Sequence, residues 1–511
     1  GIPAGVCIAV NLVLGPAPRR LAERALAHRL TLAAALLRSP DNKVRQAFAE
    51  ALGEGTGEIS TWLRLAGAEK TSPADEIAAL SQAAASITPI LLLVDLASRE
   101  TPSVWPIPLR DRVARTLDEM ASILRKGGYP VDITLDDADL SPTLPPDNAL
   151  ILAELEEALA RFAEPPAPET PAPPAKKAAS GFFESDAFTN PEHVHYALKT
   201  TAAAMFCYVV YELLDWPGIH TCLITCYIVS LGTTAETVEK LTLRVLGCLI
   251  GAAAGIAAIV FLMPHVTSIG GLMAVVFLAA LASAWVAAGP PRIAYAGFQI
   301  AFAFFLCVIQ GPAPAFDMTT ARDRVIGILF GNLVVYLVFT NVWPTSVAKR
   351  IDPAIASLLR RLGAMVAAQG RSNRFSLAGE THAALGALQA DIGLARYEPA
   401  SIRPTTGWLG VRRQVARDIA ALEAPLLLSA GQDPALSGRI AKRLDGLADR
   451  IGAGLAPALT DASDGDLGRD RAPGDAMQTM RRLIEAHLEG LEQVLTPRSD
   501  EQMGRAGHAP T

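Results

Sequence analysis

Ten side chains in a strongly apolar stretch of this sequence carry groups that could bind or guide a polar solute. Six are candidates for a path through that stretch: Glu212, His220, Thr225, Gln299, Asn332 and Tyr336. Four more are cations near the ends of the apolar runs: Lys240, Arg244, Arg322 and Arg324. Charged and amide groups are costly in hydrocarbon, so they commonly line a path or bond to one another. The pattern predicts either a route for a solute or a set of bonds between helices.

Two of these groups ionise and are candidates for proton transfer. Glu212 lies near the end of the first apolar run, three residues before Asp215, and His220 follows the Pro217-Gly218 break. Glu212 is a candidate proton carrier; alternatively, it lies at the membrane interface and is hydrated. An unperturbed imidazole ionises near neutral pH, so His220 is either a titrating group or an interfacial hydrogen-bonding residue.

The four cations fall into two pairs. Lys240 and Arg244 lie at one mouth of the predicted bundle, and Arg322 and Arg324 lie at the other. Cationic funnels concentrate anions, so both pairs are candidates to guide an anionic substrate. For Lys240 and Arg244 the alternative is control of membrane topology alone.

Metal, cofactor and nucleic-acid chemistry find little support. Cys222 and Cys226 share a helix face, but no His or carboxylate completes a metal shell. The sequence has no GxxxxGK[ST] motif for nucleotide binding. The net charge is −6 and no basic tract stands out, which disfavours a nucleic-acid partner. We expect no metal, no cofactor and no enzymatic activity.

The elements that must position these groups are membrane helices. The chain of 511 residues is 51% hydrophobic, and it contains apolar runs of about 17 residues or more, long enough to cross a bilayer. The predicted helices span residues 195–213, 218–233, 241–263, 269–288, 292–310 and 324–343. The expected fold class is all-α, a polytopic membrane helix bundle of six helices plus a truncated one, with two cytosolic helical regions.

Composition divides the chain into five segments. They are the end of a truncated transmembrane helix (1–15), a cytosolic helical domain (16–163), a Pro-rich linker (164–191), the six-helix transmembrane bundle (192–346), and a cytosolic helical C-terminal region with a disordered tail (347–511). Because the first segment is apolar but too short to span a bilayer, we interpret the chain as a fragment that lacks an N-terminal membrane half.

Basic residues near the helix ends predict the orientation. One set of ends carries eight: Arg19, Arg20, Lys199, Lys240, Arg244, Arg292, Lys349 and Arg350. The other set carries only Arg322 and Arg324. Cytoplasmic ends are enriched in Lys and Arg, so both helical regions are expected on the cytoplasmic side of the membrane.

A short pattern occurs twice. Arg244-Val-Leu-Gly-Cys-Leu-Ile-Gly251 and Arg324-Val-Ile-Gly-Ile-Leu-Phe-Gly331 lie 80 residues apart, where they open the third and sixth predicted helices. Three helices apart, the two copies would be inverted in the membrane, as in many transporters. Alternatively, an Arg before GxxxG is a common way to begin a membrane helix. The glycines themselves predict close helix packing.

The order of these segments resembles the fusaric acid resistance family. The resemblance rests on His195-Tyr-Ala-Leu-Lys199, on Asp215-Trp-Pro-Gly-Ile-His-Thr221, and on the polar Gly232–Lys240 joint before Arg244. It implies an inner-membrane component that exports aromatic carboxylic acids or amphipathic drugs. It also implies a periplasmic membrane-fusion adaptor and an outer-membrane channel as partners. We further expect contact with membrane lipid and a homo-oligomer.

Three functions fit these observations. The first is a proton-coupled exporter of aromatic or amphipathic organic acids, where proton coupling is the default left by the missing nucleotide motif. The second is a passive anion channel. The third is a membrane scaffold or sensor that transports nothing. A scaffold would tolerate loss of Glu212, Gln299 and Asn332, whereas an exporter would not.

Overall fold

The structure is a computed structural model that describes residues 14–69, 72–99, 105–131, 146–164, 189–309, 316–452 and 478–495, with a few isolated positions near the N-terminus and Ile133. Most of the predicted N-terminal helix stub and Pro-rich linker, and the predicted disordered tail, lie outside these residues. Within the described ranges the chain forms α-helices and no strand. The all-α prediction is confirmed.

Within the described ranges, eleven helices precede or follow the apolar bundle. They are α1 (Pro18–Arg38), α2 (Asn42–Gly53), α3 (Gly57–Glu69), α4 (Ala74–Arg99), α5 (Ile107–Lys126), α6 (Pro146–Ala163), α13 (Ala348–Ala367), α14 (Arg371–Leu394), α15 (Thr406–Ser429), α16 (Pro434–Gly452) and α17 (Gln478–Leu495). The bundle itself has six: α7 (Pro191–Leu213), α8 (Thr221–Val229), α9 (Thr234–Ala257), α10 (Ile269–Ala287), α11 (Pro291–Val308) and α12 (Met318–Asn341).

The chain forms two compact units. The first unit comprises Gly1–Ala172, Arg350–Ala390 and Thr406–Thr511, and the second comprises Pro173–Lys349 and Asp391–Thr405. Both polar helical regions therefore contribute to the first unit, and a short stretch of the C-terminal region belongs with the bundle. The five predicted segment boundaries stay predictions.

One helix of the first unit is apolar and long enough to cross a membrane. In α4, 72% of the most apolar window is nevertheless buried by protein, because α1, α3, α6 and α15 pack against it. Ile87, Ile90 and Leu93 are fully buried there. The helix is thus the core of the first unit.

In the second unit, three helical stretches meet the length and hydropathy of a membrane span: Thr234–His265, Ile269–Ala287 and Met318–Asn341. Pro217–Val229 and Ile293–Val308 are shorter apolar helices, and α7 is in neither class. Only 6% of the α10 window is buried, so this helix exposes much of its apolar surface. Such exposure of apolar side chains suits a lipid environment.

Two helix starts differ from the prediction. The third helix begins at Thr234, where Thr233 and Glu236 form a reciprocal capping box, and the sixth begins at Met318 after the Asp317 cap. Capping side chains satisfy the free N–H groups of a first turn, so both helices extend before their apolar runs. Arg244 and Arg324 consequently lie inside their helices and do not open them.

The repeated glycines bring backbones into contact, as predicted. A Cβ on Gly247 would lie 2.8 Å from the Ala296 carbonyl oxygen, and one on Gly251 would collide with the Ile300 carbonyl, so α9 lies directly on α11. On Gly331 a Cβ would lie 2.6 Å from the Cys222 carbonyl oxygen, so α12 lies directly on α8. These contacts fix the rotation of α9 and α12 and therefore the direction of their polar side chains.

Candidate functional site

Arg244 is the largest fully buried side chain of the bundle, with 1% of its surface exposed. Its Nη1 donates to the Gln299 Oε1 at 2.9 Å and to the Tyr295 hydroxyl at 3.1 Å. Its Nη2 donates to the Thr225 hydroxyl at 3.2 Å. The guanidinium on α9 thus joins α8 to α11, and we call Arg244, Thr225, Gln299 and Tyr295 the arginine cluster.

The charge of this cluster is not neutralised. Among the described residues no carboxylate forms an ion pair with Arg244, and its three acceptors are neutral oxygens. Within the same part of the chain, the Arg244 Nε and the Gln299 Nε2 are buried donors without a hydrogen-bond partner. A buried cation and unmet donors are both costly. The cluster is therefore complementary to an anion with several acceptor oxygens, which Arg binds well.

Aromatic side chains and a second cation surround the cluster. The Lys240 Nζ lies 5.2 Å from the centre of the Tyr295 ring, one helical turn before Arg244. The Phe302 ring centre lies 5.9 Å from the Arg244 guanidinium carbon. Tyr295, Phe298 and Phe302 stack in sequence along α11, with ring centres 6.4 and 6.2 Å apart. Cations and aromatic faces are thus side by side.

Of the ten predicted site residues, the structure brings four together: Thr225, Lys240, Arg244 and Gln299. Asn332 is also buried, and neither of its amide atoms has a hydrogen-bond partner within the described ranges. Tyr336 is 44% exposed on the outside of α12. The candidate roles of all ten stay predictions.

The remaining candidates lie at the other end of the bundle or on its surface. Glu212 and His220 are exposed, and the His220 Nδ1 lies 2.8 Å from the Pro217 carbonyl oxygen. Arg322 is exposed and forms an ion pair with the buried Asp323 at 2.9 Å. Arg324 is half-buried, and its Nη1 donates to the Leu306 carbonyl at 3.4 Å. Neither Glu212 nor His220 reaches the arginine cluster.

The sequence analysis did not single out three residues that contact the predicted cations. Tyr295 and Phe302 lie beside Arg244, and Asp323 forms an ion pair with Arg322. Tyr295 precedes Gln299 by four residues, so both lie on one face of a helix; that spacing was a usable signal. Phe302 was hidden among the many apolar residues of α11. Asp323 was hidden because Arg322 and Arg324 on either side suggested a purely cationic mouth.

Comparison with known proteins assigns the bundle to a family. Residues 206–338 match the model of the family described as fusaric acid resistance protein-like. The chain is 36% identical over 196 residues to the multidrug resistance protein MdtO of Shigella flexneri and to that of Escherichia coli K12. The aligned stretch is 38% of this chain and 28% of each relative.

The chain therefore matches well under two thirds of the length of these curated relatives. None of these names describes an enzyme. The matched region includes α8 to α11 and nearly all of α12, which together carry the arginine cluster, and its apolar helices make the chain a multi-pass membrane protein. Residues 206–338 of this chain are therefore similar to the domain of the fusaric acid resistance protein-like family.

Proposed function

We propose that this chain is the membrane-embedded subunit of an efflux transporter for aromatic carboxylates and related amphipathic organic anions. The single observation that carries the proposal is the buried Arg244, whose charge no described carboxylate neutralises. A carboxylate arriving at Arg244 would replace bonds to neutral oxygens by bonds to a charged acceptor, which can pair with the guanidinium through two parallel N–H···O bonds. It would also meet the unpartnered Nε.

The surroundings of Arg244 favour an aromatic carboxylate over a small inorganic anion. Tyr295, Phe298 and Phe302 form a continuous aromatic row beside the guanidinium. Aromatic rings attract one another in offset or edge-on arrangements. A ligand with a carboxylate at one end and a ring at the other would bond to Arg244 and stack on this row.

The similarity to multidrug resistance proteins supports export, since both named relatives carry that description. We place the bundle in a bacterial inner membrane with the first unit in the cytoplasm, from the charge asymmetry of the helix ends. An adaptor in the periplasm and an outer-membrane channel are the partners that the family resemblance implies, and a homo-oligomer remains part of the proposal.

Proton coupling is the second part of the proposal, with Glu212 as the candidate carrier. Glu212 is exposed at the end of α7, where an aqueous phase would reach it. Replacing Glu212 by Gln and Asp215 by Asn together should abolish export against a concentration gradient while substrate binding persists. Full resistance in the double variant would remove this route and favour a passive anion channel.

The central test replaces Arg244 in the full chain. Arg244→Gln should abolish export of benzoate from loaded cells, and Arg244→Lys should restore part of it because the charge is kept without the fork of donors. The matched control is Lys349→Gln, which removes an exposed cation paired with Glu192 at 3.2 Å. Membrane abundance is measured for all three variants. Normal export by an abundant Arg244→Gln protein would contradict the proposal.

A further inference from the structure

The two copies of the arginine–glycine pattern meet their partner helices in the same way. Gly247 on α9 faces Gln299 and the Ala296 carbonyl of α11, whereas Gly327 on α12 faces Thr221 of α8 and the carbonyl of Ile219, two residues before that helix. In each case the glycine one helical turn after the arginine meets one side chain and one carbonyl. The bundle can be divided into two groups of three helices, α7–α9 and α10–α12. The third helix of each group therefore packs on the second helix of the other group: α9 on α11, and α12 on α8.

The next glycines extend the correspondence. Gly251 meets the Ile300 carbonyl and the Ala303 Cβ, and Gly331 meets the Cys222 carbonyl and the Thr225 Cβ.

Three contacted pairs are each separated by 78 residues: Thr221 and Gln299, Cys222 and Ile300, and Thr225 and Ala303. The fourth pair, Ile219 and Ala296, is separated by 77, and the glycines that contact these residues are separated by 80. Such a nearly constant offset is what an internal repeat of three helices produces.

The arginines also occupy equivalent places. Arg244 on α9 reaches across to Thr225 on α8, and Arg324 on α12 reaches across to Leu306 on α11. Their surroundings nevertheless differ. Among the described residues, Arg244 is fully buried and makes three hydrogen bonds, whereas Arg324 is half-buried and makes one, of 3.4 Å. Equivalent sequence in unequal surroundings is typical of inverted-repeat transporters, in which the two halves exchange conformations.

We propose that α7–α9 and α10–α12 are inverted copies of one unit, and that Arg244 and Arg324 alternate as its buried anion-binding group. In the conformation described here Arg244 is enclosed and Arg324 is half-buried; in the second conformation Arg324 is enclosed and Arg244 is half-buried. The anion is a carboxylate. That identity rests on the proposed function, whereas the exchange of the two arginines does not.

The test measures exposure at both ends of the bundle without any substrate. Single cysteines are placed at Glu239 and at its repeat equivalent Thr319, five residues before each arginine. Full-chain protein in detergent is labelled with a maleimide, and the protein without either reporter gives the background from its own cysteines. All five cysteines within the described residues are buried.

The two arginine variants should shift labelling in opposite directions. Arg244→Gln weakens the present conformation, so labelling at position 239 should rise about fivefold and labelling at position 319 should fall. Arg324→Gln weakens the second conformation and should do the reverse, which keeps the test informative if one variant folds poorly. Lys349→Gln should change neither position.

Two outcomes would contradict the proposed exchange of the two arginines. In the first, labelling changes only at the end that carries the replaced arginine. In the second, labelling rises or falls together at positions 239 and 319. Benzoate is then added to the wild-type chain and to the Arg244→Gln, Arg324→Gln double variant. It should alter labelling only in the wild type. Reciprocal labelling that benzoate leaves unchanged would overturn the carboxylate assignment of the proposed function and leave the exchange standing.

Discussion

Two sets of charges, one in each unit, are handled differently. In the first unit the buried His382 and the half-buried Arg443 are matched: His382 Nδ1 lies 2.8 Å from the Glu423 carboxylate, and Arg443 bonds to Glu485 and Glu492, each at 2.6 Å. In the bundle, Arg244 has only neutral acceptors among the described residues. A matched pair can be explained by folding alone, whereas an unmatched buried cation costs stability. The contrast teaches that binding is the better explanation for the charge of Arg244.

The largest expected effect is on membrane abundance, and it tests whether close backbone contact at the glycines stabilises the bundle. Gly251→Leu places a side chain where even a Cβ would collide with the Ile300 carbonyl, so we expect loss of the protein from the membrane fraction. Gly270→Leu is the matched control, since its Cβ would have only Ser268 Oγ nearby, at 3.9 Å. Immunoblots of membranes compare the two. Equal abundance would mean that close backbone contact does not stabilise the bundle.

The next largest effect on stability is expected when one member of a buried charge pair in the first unit is removed. Glu423→Leu leaves His382 buried without its carboxylate, and loss of one partner of a buried pair costs about 3 kcal/mol or more. Hydrogen exchange at the amides of α14 and α15, measured near pH 6, should report this loss of unfolding free energy. Asp449→Ala, which removes the exposed partner of Arg360, should change it by less than about 0.5 kcal/mol. Similar effects of both changes would erase the contrast.

A smaller effect concerns pH. Burial opposes a charge on His382, but the hydrogen bond and charge of Glu423, the Leu52 carbonyl and the charge of Asp95 outweigh it and raise the pKa of His382. Both ring nitrogens face acceptors, at 2.8 and 2.9 Å, which fits the doubly protonated ring.

Because the pKa is raised in the folded state, this stabilisation is complete below the unfolded value of about 6.5 and is lost as pH rises through the folded value. Urea unfolding of the first unit should therefore show falling stability above that point. His382→Gln should remove this part of the slope. An unchanged slope in the variant would assign the pH dependence to other groups.

The smallest effect on stability is expected at the unmatched charge itself. Arg244→Met removes a costly buried cation but also its three hydrogen bonds, and these two effects on stability oppose each other. We expect its thermal midpoint in detergent to stay within the change that about 1 kcal/mol produces, while export is lost. A much larger fall would show that Arg244 ties α8 to α11 as a structural element and would remove the contrast between the two units.

The helical class and the close helix packing at the glycines were predictable because both depend on local pattern. Helix starts were less so: the capping box of Thr233 and Glu236 was present in the sequence, yet hydropathy alone placed the start of the third helix at residue 241. Likewise α4 and α10 have comparable hydropathy, 1.9 and 2.2. Which of the two helices is covered by other parts of the protein depends on neighbours that are distant in sequence.

The arginine cluster could not be assembled from sequence. Thr225, Arg244 and Gln299 come from three helices, and their side chains meet only because Gly247 and Gly251 fix the rotation of α9 against α11. From the sequence alone, Glu212 and Gln299 were both candidates for the substrate path, since both are polar groups in apolar runs. Helix rotation separates them: one is exposed, and the other is fully buried.

The division of the chain between its two units has a practical consequence for recombinant work. The first unit is discontinuous: its C-terminal part is interrupted by Asp391–Thr405, which belongs to the second unit. In that stretch the Glu398 carboxylate, fully buried, accepts hydrogen bonds from the Val347 amide at 2.6 Å and the Ser346 hydroxyl at 3.0 Å. An expression clone that begins at residue 350 would therefore contain Asp391–Thr405 without Ser346 and Val347, the residues that bond to Glu398. A clone of residues 173–349 would expose the site that Glu398 fills. Separate production of either unit calls for gene designs that splice or transplant this segment.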